Sequence, residues 1–278
     1  MTITDLAVPD ILPIMKILCL HGRNQSARTF REQLDAVIKV IVPSGNPETR
    51  VSFDFIDAPI HCAEPTPDGQ AAYKFFNTLV ISEIHNAHKW LTQKLGTDGP
   101  YDGVIGFCEG AALVSSYLLY HQWYRHEQDL PFRFATFISG SISLAVLRDL
   151  GVLVPGAAER VVEETELRRQ GDLGPLPSHV SLARRAVFNS DDCFGLNLNQ
   201  VPLELKIKIP TVHVWGANDP SFPTSIHVTG LCDPYIRKIY THGGGHEVPQ
   251  GTEATQELGK LVLWCMQQAI WPGHLRTP

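Results

Sequence analysis

The 278-residue chain has little that would tie it to nucleic acid, metal or membrane. It lacks any excess of positive charge: 29 acidic residues against 23 Lys and Arg leave a formal charge of −6, with both signs mixed along the chain. No basic stripe is present to neutralise a phosphate backbone, which excludes nucleic acid as an expected partner. It also lacks a CxxC pair or a Cys/His spacing of the zinc type. The six cysteines (Cys19, Cys62, Cys108, Cys193, Cys232, Cys265) are scattered, so neither a disulfide framework nor a metal site is expected. Five of them read as small buried hydrophobes. Long apolar runs are missing too. The first, "IMKILCL", is short and holds Lys16, which fits neither a secretory signal nor a membrane span. A soluble cytoplasmic protein is the expectation. There is no internal repeat and no low-complexity tract.

What is present is a rhythm. Short β-branched and aromatic runs recur at 15–20, 51–57, 102–107, 134–139, 211–216 and 237–241, with helical patterns between them. That alternation predicts an α/β fold, a mostly parallel central sheet with crossover helices on both faces. A helix at 78–95 is expected to pack through Val80, Ile84, Ala87, Leu91 and Leu95. A second, near the C-terminus, is expected to pack through Leu258, Leu261, Val262, Cys265 and Ala269. Length favours one domain spanning 1–278. The rhythm breaks between 141 and 208, where a charged helical piece, "AAERVVEETELRRQ", and the punctuation "GDLGPLPS" intervene. An insertion at the carboxyl end of a strand is placed to cover a ligand crevice, so this segment is a cap candidate; a surface excursion is the other reading.

The chemistry centres on "GFCEG". An apolar run ending at Phe107, then Cys108 between Gly106 and Gly110 with a helical pattern beginning directly after it, is the pattern of a nucleophile elbow, in which the flanking glycines permit close backbone approach. The helix N-terminus favours a thiolate at Cys108. Such a pattern is weak by itself. It gains weight because an acid and a histidine follow at later strand ends: Asp219 in "ANDPS" after "TVHVWG", and His246 in "HGGGHEVP" after "RKIYT". The order nucleophile, acid, histidine is that of an α/β-hydrolase. In this reading His246 takes the thiol proton and Asp219 orients the imidazole. His242 rivals His246, while Asp191, Asp192 and Asp233 rival Asp219 with weaker strand context. His21 reads as support for its loop. Two backbone N–H groups are needed for an oxyanion hole: that of Glu109, after the nucleophile, and that of Arg23 in "LHGRNQSARTF", with Asn24 as the alternative.

These residues resemble a known family. "LCLHGRNQSARTFREQL", "FDFIDAP", "GPYDGVIGFCEGAAL", "VHVWGANDP" and "HGGGHEVP" are similar, in order, to the FSH-type serine hydrolases. That branch of the α/β-hydrolases includes small esterases and hydrolases that release polyketide chains in fungal biosynthetic clusters. The likeness runs from about 15 to 270 and is least over 141–208. It implies Cys108 as nucleophile, Asp219 as acid, His246 as base, the amides of Arg23 and Glu109 as oxyanion donors, and no cofactor. The chain departs from the family twice, with Cys108 in place of the usual serine and Glu109 in place of the usual glutamine. A carboxylate beside the nucleophile opposes thiolate formation.

Three accounts of Cys108 fit the sequence: a natural nucleophile, an engineered replacement for serine, or a relic in an inactive protein. The intact acid and base favour retained chemistry. A natural cysteine points to an acyl-thioester substrate, because exchange of one thioester for another is nearly balanced in energy. The expected activity is then an acyl-thioester hydrolase or cyclase that takes an acyl chain, polyketide or fatty, from a carrier protein and releases an acid or a lactone. Leu150, Val152 and Leu153 are expected to give the cap an apolar lining that excludes water. Alternatives are a general carboxylesterase or lactone hydrolase and, from another class, a binding module without turnover.

Overall fold

The computed structural model describes residues 15–42, 51–65, 69–125, 128–174 and 192–270. Six parallel strands form one sheet: β1 (Met15–Leu20), β2 (Val51–Ile56), β5 (Gly103–Phe107), β6 (Phe134–Ile138), β7 (Thr211–Gly216) and β8 (Arg237–His242), in the order β2-β1-β5-β6-β7-β8. All six are the predicted runs, with ends shifted by a residue or so. The inner strands are readable because a parallel strand covered on both faces must be apolar throughout. Every residue of β5, β6 and β7 is buried. A two-stranded antiparallel ribbon, β3 (Ile60–His61) with β4 (Tyr73–Lys74), is too short to have left a periodic signal.

Alternate side chains on the strands feed two cores. Ile17, Cys19, Ile105 and Phe107 pack on one side, with α1 (Ala27–Ile41) and the C-terminal helix α7 (Thr252–Ile270). Leu18, Leu20 and Val104 pack on the other, with α2 (Ile81–Asp98), α3 (Glu109–Tyr124) and α6 (Phe222–Gly230). Ser26 caps α1 by accepting a hydrogen bond from the Thr29 amide at 3.1 Å, and Phe30, Leu34, Val37 and Ile41 make its buried stripe. α7 buries Leu258, Leu261, Val262, Cys265 and Ala269 as expected. α2 buries Ile84, Ala87 and Leu91, with Leu95 partly covered, but Val80 is the N-cap and half exposed. The helix starts one residue later than the apolar stripe, so Val80 has no helical face on which to pack.

The segment 141–208 contributes α4 (Leu144–Asp149) and α5 (Gly156–Gln170); residues 175–191, and Asp191 with them, lie outside the described residues. The expected apolar lining is corrected here. Leu150 and Val152 are buried in the core and Leu153 is 69% exposed, so none of the three faces a cavity beside Cys108. Among the described residues no helix is long and apolar enough to cross a membrane.

Candidate active site

Cys108 stands at the junction of β5 and α3 with φ of 49° and ψ of −108°, a left-handed backbone conformation that costs on the order of 1–3 kcal/mol in a non-glycine residue. The surroundings hold it there. Its amide donates to the Ile138 carbonyl at 2.9 Å, and the Gly110 amide donates to the His21 carbonyl at 3.1 Å. A Cβ on Gly110 would lie 2.4 Å from the Leu20 oxygen, and one on Gly106 would lie 2.7 Å from the Ala111 backbone. Both positions therefore exclude any larger residue, because the strand, the helix and the neighbouring loop meet there.

The acid and the histidine come from the next strand ends. His246 Nδ1 donates to Asp219 at 3.0 Å from Oδ1 and 3.1 Å from Oδ2, and the Ser221 amide donates to Asp219 Oδ1 at 2.7 Å. The two loops are zipped together: the Ala217 amide donates to the His242 carbonyl at 2.7 Å and the Asn218 amide to that of Gly244 at 2.9 Å. Sequence reading missed what allows this, namely Gly216, where a Cβ would lie 2.2 Å from the Gly244 and Gly245 oxygens. A glycine closing a strand just before the acid was the available signal.

The second imidazole nitrogen, His246 Nε2, is buried and makes no hydrogen bond of full geometry. It nevertheless lies close enough to the Cys108 thiol for each group to shift the other. Burial pushes the thiol up, but hydrogen bonding and charge from His246, helped by the Arg169 guanidinium, outweigh burial and bring it below its ordinary value. Burial pushes His246 down, while Asp219 and Cys108 outweigh that and raise it to about 10. Asp219 is buried, which pushes its carboxyl up, yet His246 and its other hydrogen-bond donors hold it below the usual range. The shifts agree in sign with a thiolate–imidazolium pair backed by a carboxylate.

The rivals are occupied elsewhere. His242 Nδ1 accepts from the Gly244 amide at 3.1 Å, and burial lowers its pKa. Asp233 accepts from the Tyr235 amide and Asp192 from the Gly195 amide, both as turn residues. His21, fully buried, donates from Nδ1 to the Gly22 carbonyl at 2.7 Å and accepts at Nε2 from the Ala58 amide at 3.0 Å, which fixes the loop after β1. Asn24 donates its amide to the Tyr73 carbonyl at 3.0 Å and has none left for an oxyanion. The Arg23 and Glu109 amides carry no such bond among the described residues.

The side chains of those two residues are also tied together. Arg23 Nη2 lies 3.0 Å from Glu109 Oε1, and Glu109 Oε2 accepts from the Phe75 amide at 2.7 Å. Burial raises the Glu109 carboxyl, and the Phe75 amide and Arg23 oppose that. The carboxylate is thus held by Arg23 and the Phe75 amide, and its opposition to a thiolate at Cys108 is the smallest of the influences acting there.

A cavity of about 540 Å³ opens beside Cys108 and His246. Its apolar wall includes Leu79, Ile142, Leu144 and Val162; the α5 side adds Glu163 and Arg169. A smaller recess of about 250 Å³ lies on the other side of Cys108. Among the described residues no cluster of three or more His, Cys, Asp or Glu could hold a metal ion.

The chain is similar to known proteins in sequence and in structure. The esterase alnB of Emericella nidulans is 27% identical over 92% of this chain and 99% of its own length. The esterase FPY3 of Fusarium mangiferae is 24% identical, again over 92% and 99%. Among solved structures, a carboxylesterase from Mesorhizobium loti superposes with a TM-score of 0.49 at 14% identity, covering 91% of this chain and 90% of that one. The family model described as "Serine hydrolase (FSH1)" matches residues 12–258, and the chain belongs to that family.

Proposed function

We propose that this hydrolase works through Cys108, and that its substrates are acyl thioesters. The observation that carries the reading is a cysteine, not a serine, on a strained elbow facing a histidine already paired with a buried aspartate. The Cys108 thiolate attacks the thioester carbonyl, and the tetrahedral oxyanion is held by the amides of Arg23 and Glu109. Collapse forms the new C–S bond to Cys108 and breaks the bond to the departing thiol, which takes its proton from the His246 imidazolium. Neutral His246 then removes a proton from water, or from a hydroxyl of the same chain, as that oxygen attacks the acyl-Cys108 carbonyl. An acid or a lactone leaves, and the thiolate–imidazolium pair is restored.

Energy balance sets the preference. Exchange of thioester for thioester is nearly neutral, whereas acylation of Cys108 by an ester runs uphill. The large cavity takes the acyl chain, and the described part of the 141–208 segment serves as its cap through α5 and residues 141–145. A polyketide or fatty chain on a carrier protein is the donor that best fits this chemistry. The second reading, a general carboxylesterase, is favoured by the names of the relatives, esterase alnB and esterase FPY3.

Intact-protein mass spectrometry separates the two. Incubation with an octanoyl thioester and with p-nitrophenyl octanoate should give rapid acyl mass on Cys108 from the thioester and slow turnover of the ester. Fast ester hydrolysis with no acyl mass from the thioester would overturn the thioester preference.

A further inference from the structure

The small recess on the far side of Cys108 is not isolated. It shares Gln33 and Glu247 with an outer recess of about 390 Å³, so a trench runs from the nucleophile between the N-terminal half of α1 and the loop after β8. Its inner end shares Cys108, Arg169 and His246 with the acyl cavity and adds Arg23, whose guanidinium is paired with Glu109; the rest of its lining differs. Four carboxamides, Asn24, Gln25, Gln33 and Gln250, project along it. Gln25 is committed: its Oε1 accepts from the Gly22 amide at 3.1 Å and its Nε2 donates to Gln33 Oε1 at 3.4 Å. That pairing leaves Gln33 Nε2 as an outward donor. Asn24 Nδ2 and Gln250 Oε1 are likewise without a hydrogen bond among the described residues, although Asn24 Oδ1 accepts from the Cys62 thiol at 3.3 Å and Gln250 Nε2 donates to the Val248 carbonyl at 3.1 Å. The trench therefore offers two free N–H donors and one free acceptor, set along a groove that starts at the sulfur.

We infer that this trench seats the departing thiol, and that the thiol is a pantetheine-type arm carrying secondary amides. The inference rests on the thioester reading above and adds to it the chemistry of the leaving group. Carboxamides pair with secondary amides donor to acceptor and acceptor to donor without burying charge. Arg23 and Arg169 lie at the inner end of the trench, next to Cys108, whereas among the described residues the outer recess holds Glu32 and Glu247 and no cation, which suits the neutral amide stretch of such an arm and leaves its phosphate beyond the trench. A simple alcohol or alkyl thiol would fill none of these hydrogen-bonding positions.

The test holds the acyl group constant and varies the thiol: octanoyl esters of pantetheine, with two amides, N-acetylcysteamine, with one, and propanethiol, with none. In the full chain kcat/KM should rise by about two- to tenfold for each amide engaged, the range expected of one net hydrogen bond. In Gln33→Leu and Gln250→Leu the pantetheine-to-propanethiol ratio should fall toward one. Because the ratio is internal to each protein, loss of folded material does not imitate the result. Equal kcat/KM for the three thioesters, or a preference that survives in both variants, would overturn the trench assignment while the acyl-Cys108 mass kept the thioester reading alive. Failure of all three to acylate Cys108 would overturn both.

Discussion

Cys19 lies within a strand of the sheet and Cys108 just past the end of the neighbouring strand, and the two behave in opposite ways. Cys19 is the fifth of the six residues of β1, paired in register with Ile105, three residues before Cys108. It is fully buried among apolar side chains, and burial, joined by the Asp54 carboxylate, pushes its thiol well up. Cys193, Cys232 and Cys265 are pushed up by burial as well. Cys108 feels the same desolvation yet moves the other way, because it stands at a strand end where His246 can reach it. In the proposed mechanism, position at the carboxyl edge beside His246 is what separates Cys108 from cysteines that only fill the core; the presence of a thiol does not.

The contrast can be broken by substitution. Cys108→Ala should lower thioester turnover by about 10³-fold or more, while Cys19→Ala should leave kcat/KM within about twofold and cost roughly 1–2 kcal/mol of stability; steady-state assays and urea denaturation measure the two. Asp219→Asn keeps the shape but takes away the anion that orients His246 and stabilises its cation. A fall of about 10²- to 10⁴-fold in kcat is expected, with a much smaller change in KM. His246→Ala makes Cys108 resemble Cys19: with the imidazolium gone, burial is unopposed and the thiol rises. Alkylation by iodoacetamide at pH 7 should slow by about tenfold for each pH unit of that rise, read from timed peptide mass spectra.

Glu109→Gln should have the smallest effect. Removing that carboxylate removes the weak influence that raises the thiol, so the alkylation profile should shift slightly to lower pH. Releasing the Arg23 guanidinium should at the same time loosen the loop that carries the Arg23 amide and reduce kcat by a few fold. A shift toward higher pH would contradict the placement of Glu109.

The sequence made the sheet legible because buried parallel strands are apolar on both faces, so each appears as a short uninterrupted run. It made the positions of Cys108, Asp219 and His246 legible because each follows such a run immediately. Residues that act across the fold were not legible. Gly216 visibly closes a strand just before the acid, but what demands glycine there is the loop after β8 folding back upon it, a long-range contact that the pattern "VWGAND" does not specify. The salt bridge between Arg23 and Glu109 spans 86 positions of the chain and is invisible to any periodicity. The apolar lining expected from Leu150, Val152 and Leu153 failed for a related reason. Hydrophobicity indicates burial but not the cavity or core that a side chain enters, and the helix that does face Cys108, α5, is rich in charge. The carboxamide trench joins two segments more than 200 residues apart, Gln33 and Gln250.

The central claim is that His246 holds Cys108 as a thiolate, and the pH dependence of alkylation at Cys108 tests it most directly. The full chain would be treated with limiting iodoacetamide between pH 4 and 10 and each cysteine-containing peptide quantified. Cys108 should label first among the six, with a midpoint clearly below the ordinary thiol range of about 8.5 and a rate that stays high across neutral pH. A Cys108 that labels no faster than the other five, with a midpoint at or above that range, would contradict the account.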